Sequence, residues 1–186
     1  MTIPDAISFL DQQIVDPTVG LPEEIFLFAS RITPLVNVDL LVRDGQGRTL
    51  LAWRSDTFSG HGWHIPGGIV RFKETVEDRI QKVAQRELGT AVDLHPQPIA
   101  INQLMHPSRH TRGHFLSLLF HCSLPPDFVL ANHTCKPEEP GYLQWHDCCP
   151  ANLIHVHEVY RPYICANPVF PAVFNHPVCG RSHVCL

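Results

Sequence analysis

The fold of this chain is decided by the stretch WHIPGGIVRFKETVEDRIQKVAQRELG, which runs from Trp63 to Gly89. A strand-like WHIP leads into a Gly67-Gly68 turn and a short polar loop, after which Lys73-Glu74-Thr75 opens a helix that ends at Gly89. A glycine at that end suits a left-handed C-terminal cap. The stretch therefore predicts a strand, a loop and a helix that present polar groups.

The predicted helix has one apolar face with a carboxylate at its edge. Apolar side chains recur at helical spacing at Val76, Ile80, Val83, Ala84 and Leu88. Glu87 lies at the edge of that face, one turn after Val83. Because a rigid helix fixes its position, this carboxylate is a natural ligand for a hard cation. We therefore expect the helix to pack on a core and to offer Glu87 to a metal ion.

The spacing resembles the Nudix box, which reads G, five residues, E, seven residues and then R-E-U-x-E-E-x-G-U, with U aliphatic. The matching positions are Gly68, Glu74, Ala84, Glu87 and Gly89. The departures are Lys82 at the arginine, Val83 and Arg86 at two carboxylates, and Thr90 at the last aliphatic residue. Ordinary members hold two or three divalent ions on their glutamate cluster, and one surviving helical carboxylate cannot do so.

Within this superfamily the chain most resembles the GDP-mannose mannosyl hydrolases, roughly from Leu21 to Tyr163. The segments SRITPLVNVDLLVRDGQGRTLLAWR, WHIPGG, REL-Gly and LQWHD follow the family's order. That branch also lacks the first glutamate of the pair, and it acts with a single magnesium ion at a sugar carbon. The resemblance implies an α/β fold, the Nudix-type α/β/α sandwich with a central mixed sheet, with the box helix on one side and the C-terminal helix on the other.

The resemblance also implies a metal site. It places Glu87 and the backbone carbonyl of Gly67 on one magnesium ion, with manganese as an alternative. A third family ligand, a glutamine on a late loop, falls at Glu139. That residue would add one negative charge to a site that is poor in carboxylates.

The family's general base is a histidine, and its position here is Pro140, which cannot take a proton. Either Glu138, Glu139 or His133 on the same loop replaces it, or the protein does not catalyse the family reaction. We favour Glu139 as the base. Because one carboxylate does not easily serve as both metal ligand and base, Glu138 is the candidate for the second role.

Substrate contacts follow from the same resemblance. Asp39 stands inside the apolar run VNVDLLV, where burying an unpaired charge is costly, so it needs a partner or a cleft. In the family, the aspartate that matches Asp39 binds sugar hydroxyls, and the arginine that matches Arg54 binds the diphosphate. His106 matches a family histidine that helps ligand binding.

Two cationic positions depart from the family. The family arginine after the glycine pair is Ile69 here, so a phosphate contact is lost unless Arg71 reaches in. Lys82 stands at the box arginine and would take its catalytic place, although lysine and arginine are not equivalent at a bidentate site.

These features predict a magnesium-dependent hydrolase of a nucleoside diphosphate sugar, which cleaves at the anomeric carbon and releases nucleoside diphosphate and sugar. Two alternatives stay open. Many Nudix enzymes cleave at phosphorus with a loop glutamate as base, which would make this protein a pyrophosphohydrolase. The other alternative is a domain that only binds a nucleotide or a protein partner, because a fold does not guarantee activity.

Length and charge narrow the class of protein. The chain has 186 residues and a net charge of -4. This length is enough for one domain that buries about 70% of its unfolded surface. The charge argues against a protein that coats nucleic acid. We read no signal peptide and no membrane span. We therefore expect a cytosolic protein whose seven cysteines are free thiols.

The chain divides into three predicted regions. Residues 1–20 form a helical extension that packs on the domain, covers an edge of it or meets a dimer partner. Residues 21–164 form the Nudix domain, and residues 165–186 form an irregular tail. The tail contains His176, Cys179, His183 and Cys185, whose spacing fits no standard zinc pattern.

Two local predictions concern connections inside the domain. The strands Val36 to Arg43 and Thr49 to Arg54 are expected to form a hairpin through the intervening glycines. Asn152 to Tyr163 is expected to form the last helix.

Overall fold

Two β-sheets form the centre of the computed structural model, which describes residues 1–130, 132–165 and 174–175. The strands are β1 (Leu35–Val42), β2 (Thr49–Asp56), β3 (Gly60–His64), β4 (Gly67–Ile69), β5 (Asp93–Leu94), β6 (Ala100–Met105), β7 (His114–Ser123), β8 (Leu143–His146) and β9 (Phe174–Asn175). The helices are α1 (Ile3–Gln12), α2 (Glu23–Ile32) and α3 (Val76–Leu88), with 3₁₀ helices at Asn132–Thr134 and His155–Tyr163.

The larger sheet is mixed. Its strand order is β4-β1-β7-β6-β9, with β5 paired to β7. The β1–β7 and β6–β9 pairs are parallel, whereas the other pairs in this sheet are antiparallel. The smaller sheet, β3-β2-β8, is antiparallel throughout. The prediction of an α/β fold with a central mixed sheet is confirmed.

Helical layers cover both faces of the larger sheet. Neighbouring residues of a strand point to opposite faces, so consecutive residues of β1 pack against different layers. Leu40 of β1 packs into a buried cluster with Ile80 and Leu88 of α3. The next residue, Leu41, packs into a second cluster with Tyr160 and Tyr163 of the last 3₁₀ helix. The box helix and the C-terminal helical segment therefore lie on opposite sides, as predicted.

The ends of α3 follow the sequence signals. Thr75 is the N-cap, and its side chain accepts a hydrogen bond from the backbone N of Asp78 at 3.0 Å. Gly89 ends the helix with φ of 76°, in the left-handed region that glycine adopts without a steric penalty. This helix is anchored at both ends, which fixes the positions of the charged residues in its last turn.

The predicted hairpin between β1 and β2 is wrong. The two strands belong to different sheets and share only the isolated bridge between Arg43 and Thr49. The intervening turn is closed locally by Asp44, whose side chain accepts hydrogen bonds from the backbone N atoms of Gln46 and Arg48. Beyond this turn β1 pairs with β4 along one edge and with β7 along the other, so that neighbouring strands lie along both of its hydrogen-bonding edges.

The two ends of the chain differ in packing. Within the predicted helical extension, α1 covers Ile3–Gln12, begins with a capping box between Thr2 and Asp5, and has no buried residue. Near the C-terminus, the predicted helix is a 3₁₀ helix that contains Pro162, which cannot donate an α-helical hydrogen bond. The tail residues His176, Cys179, His183 and Cys185 lie outside the described residues. Among the described helices, none has the length and hydropathy that crossing a membrane requires.

Candidate active site

Two cavities meet at a pair of arginine side chains. The first has a volume of about 450 Å³ and the second about 510 Å³, both in the range of small-molecule sites. Arg54 on β2 and Arg86 on α3 line both cavities. An anionic ligand that extends from one cavity to the other would therefore pass two positive charges.

Asp39 is the buried carboxylate of the first cavity. It is 1% exposed and accepts hydrogen bonds at Oδ2 from Asn37 Nδ2 (2.9 Å), Tyr160 OH (2.6 Å) and Ser117 Oγ. Burial raises the pKa of Asp39, and the hydrogen bonds from Ser117, Tyr160 and Asn37 oppose that shift. The sequence predicted a partner or a cleft for Asp39, and the structure provides both.

The glycine pair allows the box loop to approach β1 closely. Gly67 is aligned with Asp39 in the antiparallel β1–β4 pair. A Cβ atom at position 67 would collide with Asp39 Oδ1 and lie 2.8 Å from the carbonyl oxygen of Val38. A Cβ atom at Gly68 would lie 2.8 Å from Cγ2 of Val83 on α3. The WHIPGG turn therefore needs glycine at both positions for steric reasons.

Glu87 faces the second cavity between two potential donors. Its side chain is 14% exposed, with Oε2 3.3 Å from His64 Nε2 and Oε1 2.6 Å from Arg86 Nη2. Burial would raise the pKa of Glu87, but the hydrogen bonds and charges of His64 and Arg86 outweigh burial and lower it. Glu87 is therefore a carboxylate held in its ionised form by its neighbours.

Arg86 contacts two of the predicted metal ligands. Arg86 Nη2 donates to both Glu87 Oε1 (2.6 Å) and the carbonyl oxygen of Gly67 (3.3 Å), so one guanidinium engages both of these oxygen atoms. In the described part of the chain, no group of three or more His, Cys, Asp or Glu side chains is arranged to hold a metal ion. Both oxygen atoms are ligand types that magnesium takes, but here they are engaged by the Arg86 guanidinium.

The late loop borders the second cavity through Thr134, Cys135 and Pro140. The Glu139 carboxylate is exposed and accepts a hydrogen bond from the backbone N of Lys136 at 2.9 Å. Glu138 is exposed and has φ of 67°. Neither glutamate lines either cavity, and the side chain of His133 lies outside the described residues.

A cationic and aromatic rim closes the other end of the first cavity. The Arg112 guanidinium lies 4.5 Å from the ring centre of Phe58 and 5.7 Å from that of Phe26. Arg109 Nη2 donates to the carbonyl oxygen of Phe58, and His106 lines the same wall. Burial, the charge of Arg109 and that of His155 lower the pKa of His106, so its imidazole is neutral at pH 7.

Arg71 and Lys82 lie outside both cavities. Lys82 Nζ is 2.9 Å from Glu74 Oε1, and the backbone N of Arg71 donates to Glu74 Oε2 at 3.0 Å. Arg79 Nη2 contacts the same carboxylate at 2.6 Å. Burial opposes the shift, but these donors together lower the pKa of Glu74 to about 2. Glu74 therefore ties the box loop to α3 through the loop amide and the two cations Arg79 and Lys82.

Sequence reasoning missed three further residues of the site. Tyr160 comes from the last 3₁₀ helix, far from Asp39 in sequence, so no local pattern indicates the contact. His157 Nδ1 accepts a hydrogen bond from the backbone N of Ile65 at 3.1 Å, and burial lowers its pKa and keeps it neutral. The third residue is His64, whose Nε2 atom lies 3.3 Å from Glu87 Oε2. The alternation of side chains along the strand WHIP could have indicated that His64 lies on the side of the strand that faces Glu87.

The site and its box loop coincide with a known family. A model described as the NUDIX domain matches residues 33–163. The chain belongs to the NUDIX family. Divalent metal ions such as Mg²⁺ generally assist hydrolysis in NUDIX hydrolases, and in this NUDIX protein Arg86 contacts two oxygen atoms that the resemblance assigns to the ion.

Individual relatives agree with this assignment. The NUDIX protein is 30% identical over 137 residues to the low-salt glycan biosynthesis protein Agl8 of Haloferax volcanii. The alignment covers 70% of this chain and 86% of Agl8. The structure of a MutT NUDIX hydrolase from Burkholderia pseudomallei is similar at a TM-score of 0.54 and 21% identity, over 68% of this chain and 95% of that one. A UDP-X diphosphatase structure is similar at a TM-score of 0.51 and 20% identity, over 83% and 71%. These two structural likenesses identify the fold.

Proposed function

We propose that this NUDIX protein hydrolyses a nucleoside diphosphate sugar, similar to GDP-mannose, and releases nucleoside diphosphate and free sugar. The observation that carries this proposal is the place of Arg54 and Arg86 where the two cavities meet. A diphosphate is an anionic group that guanidinium groups bind well, through charge-assisted hydrogen bonds. The relative Agl8 is named for glycan biosynthesis, which agrees with a sugar nucleotide as the substrate.

The first cavity offers acceptors for sugar hydroxyl groups. The hydrogen bonds to Asp39 described above end on Oδ2, and Oδ1 lies beside Gly67, which also lines this cavity. A carboxylate that lines a cavity, and whose second oxygen accepts none of these hydrogen bonds, is suited to accept hydrogen bonds from ligand hydroxyl groups. Asn37 lines the same wall and adds an amide. We therefore assign the sugar to this end, next to Asp39.

Substitution at the anomeric carbon develops positive charge on the sugar and negative charge on the leaving diphosphate. Arg54 is 31% exposed and lies 3.6 Å from Asp56, so its guanidinium remains accessible at the junction. Arg54 and Arg86 would stabilise the departing diphosphate, because they are in place before the charge develops. An incoming water molecule must transfer a proton to a base, for which Glu139 or Glu138 stays our prediction.

A screen of nucleotide sugars and dinucleoside polyphosphates tests this proposal, with the products separated by chromatography. Free sugar and nucleoside diphosphate are expected, and labelled water should enter the sugar and not the phosphate. Mononucleotide as the product would instead identify a pyrophosphohydrolase that acts at phosphorus. Binding without turnover of any compound would identify a domain without catalytic activity, and either result would reject the proposal.

A further inference from the structure

The guanidinium of Arg86 lies where the two predicted metal ligands converge. Its Nη2 atom is 2.6 Å from Glu87 Oε1 and 3.3 Å from the carbonyl oxygen of Gly67. A divalent ion that bound these same oxygen atoms at about 2.1 Å would lie next to a fixed positive charge. Such an ion would therefore have to displace Arg86 before it could bind.

Arg86 is held in place but keeps donors for a ligand. An arginine side chain has five N–H donors, and the two hydrogen bonds described here use only Nη2. Within residues 1–130 and 132–165, Nη1 and Nε have no further hydrogen-bond partner. The side chain is 58% exposed and lines both cavities. These remaining donors can therefore form the parallel pair of bonds that phosphate oxygens accept from arginine.

Two guanidinium groups and two carboxylates lie at the junction of the cavities. Arg54 lines the same junction, and its carboxylate neighbour Asp56 is 3.6 Å away, longer than a good charge-assisted hydrogen bond. Glu87 is the carboxylate that Arg86 contacts directly. Each guanidinium group at the junction is thus paired with one carboxylate, and the side chains of Arg54 and Arg86 remain 31% and 58% exposed for a ligand without any metal ion.

We infer that Arg86 takes the place of the divalent cation, so that the protein binds the diphosphate of its substrate directly and without a metal ion. This inference rests on the proposed function, because it names how that site holds its diphosphate. Glu87 then serves to position Arg86, and Gly67 offers its carbonyl oxygen as the second support. In this arrangement, arginine stands at a box position that is otherwise a carboxylate. The charge of the diphosphate is then neutralised by a guanidinium group in place of a metal ion, while the binding site is kept.

Calorimetric titrations with GDP and with inorganic pyrophosphate test this inference, each in EDTA and in MgCl₂. The wild-type protein should bind both probes equally well under the two conditions. Arg86→Gln should weaken binding in EDTA by about tenfold or more, because a charge-assisted pair of hydrogen bonds is lost. Arg31→Gln removes an exposed arginine from α2, away from both cavities, and should behave as the wild type.

A direct titration with Mn²⁺, followed by electron paramagnetic resonance without any nucleotide, gives an independent result. The wild-type protein should bind Mn²⁺ weakly, and Arg86→Ala should bind it more tightly because Gly67 and Glu87 lose their guanidinium partner. Equal, tight Mn²⁺ binding by both proteins would overturn the inference. Thermal unfolding of each variant checks that the fold is retained.

The results separate this inference from the proposed function. Binding of GDP only in MgCl₂ would reject the role of Arg86 and leave the function standing. Binding of pyrophosphate but not GDP in EDTA, with loss in Arg86→Gln, would support the role of Arg86 and reject the nucleoside diphosphate. Failure to bind either probe under both conditions would reject both.

Discussion

Gly67 lies directly opposite Asp39 in the β1–β4 pair, with no room between them for a methyl group. The chain at this point joins the buried carboxylate of the first cavity to the carbonyl oxygen that supports Arg86. A single backbone position thus fixes the relative place of the expected sugar-binding and diphosphate-binding groups.

Gly67→Ala should disrupt this position. The added methyl group would collide with Asp39 Oδ1 and crowd the carbonyl oxygen of Val38, so we expect a loss of about 1–3 kcal/mol in the free energy of unfolding. Urea denaturation measures this loss. Gly45→Ala is the matched control, because a Cβ atom at that position meets nothing within 4 Å. Equal stability of the two variants would contradict the close approach described here.

Glu74→Gln should lower stability in a pH-dependent way. The pKa of Glu74 is about 2 in the folded protein, below its usual value, so its ionised form stabilises the fold at neutral pH. This stabilisation is present above about pH 4.3 and is lost as the pH falls towards 2. We expect a loss of about 2 kcal/mol at pH 7 from the broken contacts with Arg79, Lys82 and the loop amide.

Urea denaturation between pH 7 and pH 3 checks the sign of this effect. The difference between wild type and Glu74→Gln should shrink as the solution becomes acidic. Glu77→Gln is the control, since Glu77 is an exposed glutamate on the same helix. A difference that stayed constant with pH would show that the ionised carboxylate is not the source of the stability. Binding of diphosphate should be nearly unchanged in both variants, because neither residue lines a cavity.

Glu87→Gln should reduce turnover while leaving the fold intact. Its carboxylate lies at the edge of the second cavity and contacts Arg86 and His64, so the neutral amide would release the guanidinium from its position. We expect a loss of about tenfold or more in kcat/KM on the substrate that the screen identifies, with thermal unfolding nearly unchanged. Wild-type activity in this variant would exclude a role for Glu87 in either metal binding or the positioning of Arg86.

The double variant Glu138→Gln, Glu139→Gln should lose turnover if the late loop supplies the general base. Both side chains are exposed and line neither cavity, so this prediction requires the loop to move towards the second cavity when substrate binds. A glutamate base titrates near 4.3 and a histidine near 6.5. Activity sustained well below pH 6 would therefore indicate a glutamate, and a fall through about pH 6–7 would indicate His133. Full turnover in the double variant would exclude both glutamates.

Local patterns predicted the parts of the fold that depend on neighbouring residues. The helix α3, its Thr75 and Gly89 caps and its buried face were all readable from spacing. The β1–β2 hairpin was wrong because strand pairing depends on distant partners, here β4 and β7, which no turn sequence specifies.

The candidate site shows the same division. Resemblance indicated Asp39, Arg54 and His106, and the structure brings all three to one cavity. Arg71 and Lys82 were expected there too, but the backbone amide of Arg71 and the side chain of Lys82 bind Glu74 instead. The sequence alone could not show whether a long cationic side chain binds a ligand or a neighbouring carboxylate, because both partners are within its reach.

The contact between Gly68 and Val83 has a consequence for protein engineering. Val83 is fully buried and occupies a box position that ordinary members fill with glutamate, so a longer, charged side chain there would have to be buried against the turn. Position 86 is different, because its side chain is largely exposed and faces both cavities. A designer who wants to install a conventional metal cluster in this scaffold should therefore begin with Arg86→Glu and should leave Val83 unchanged until the turn has been rebuilt.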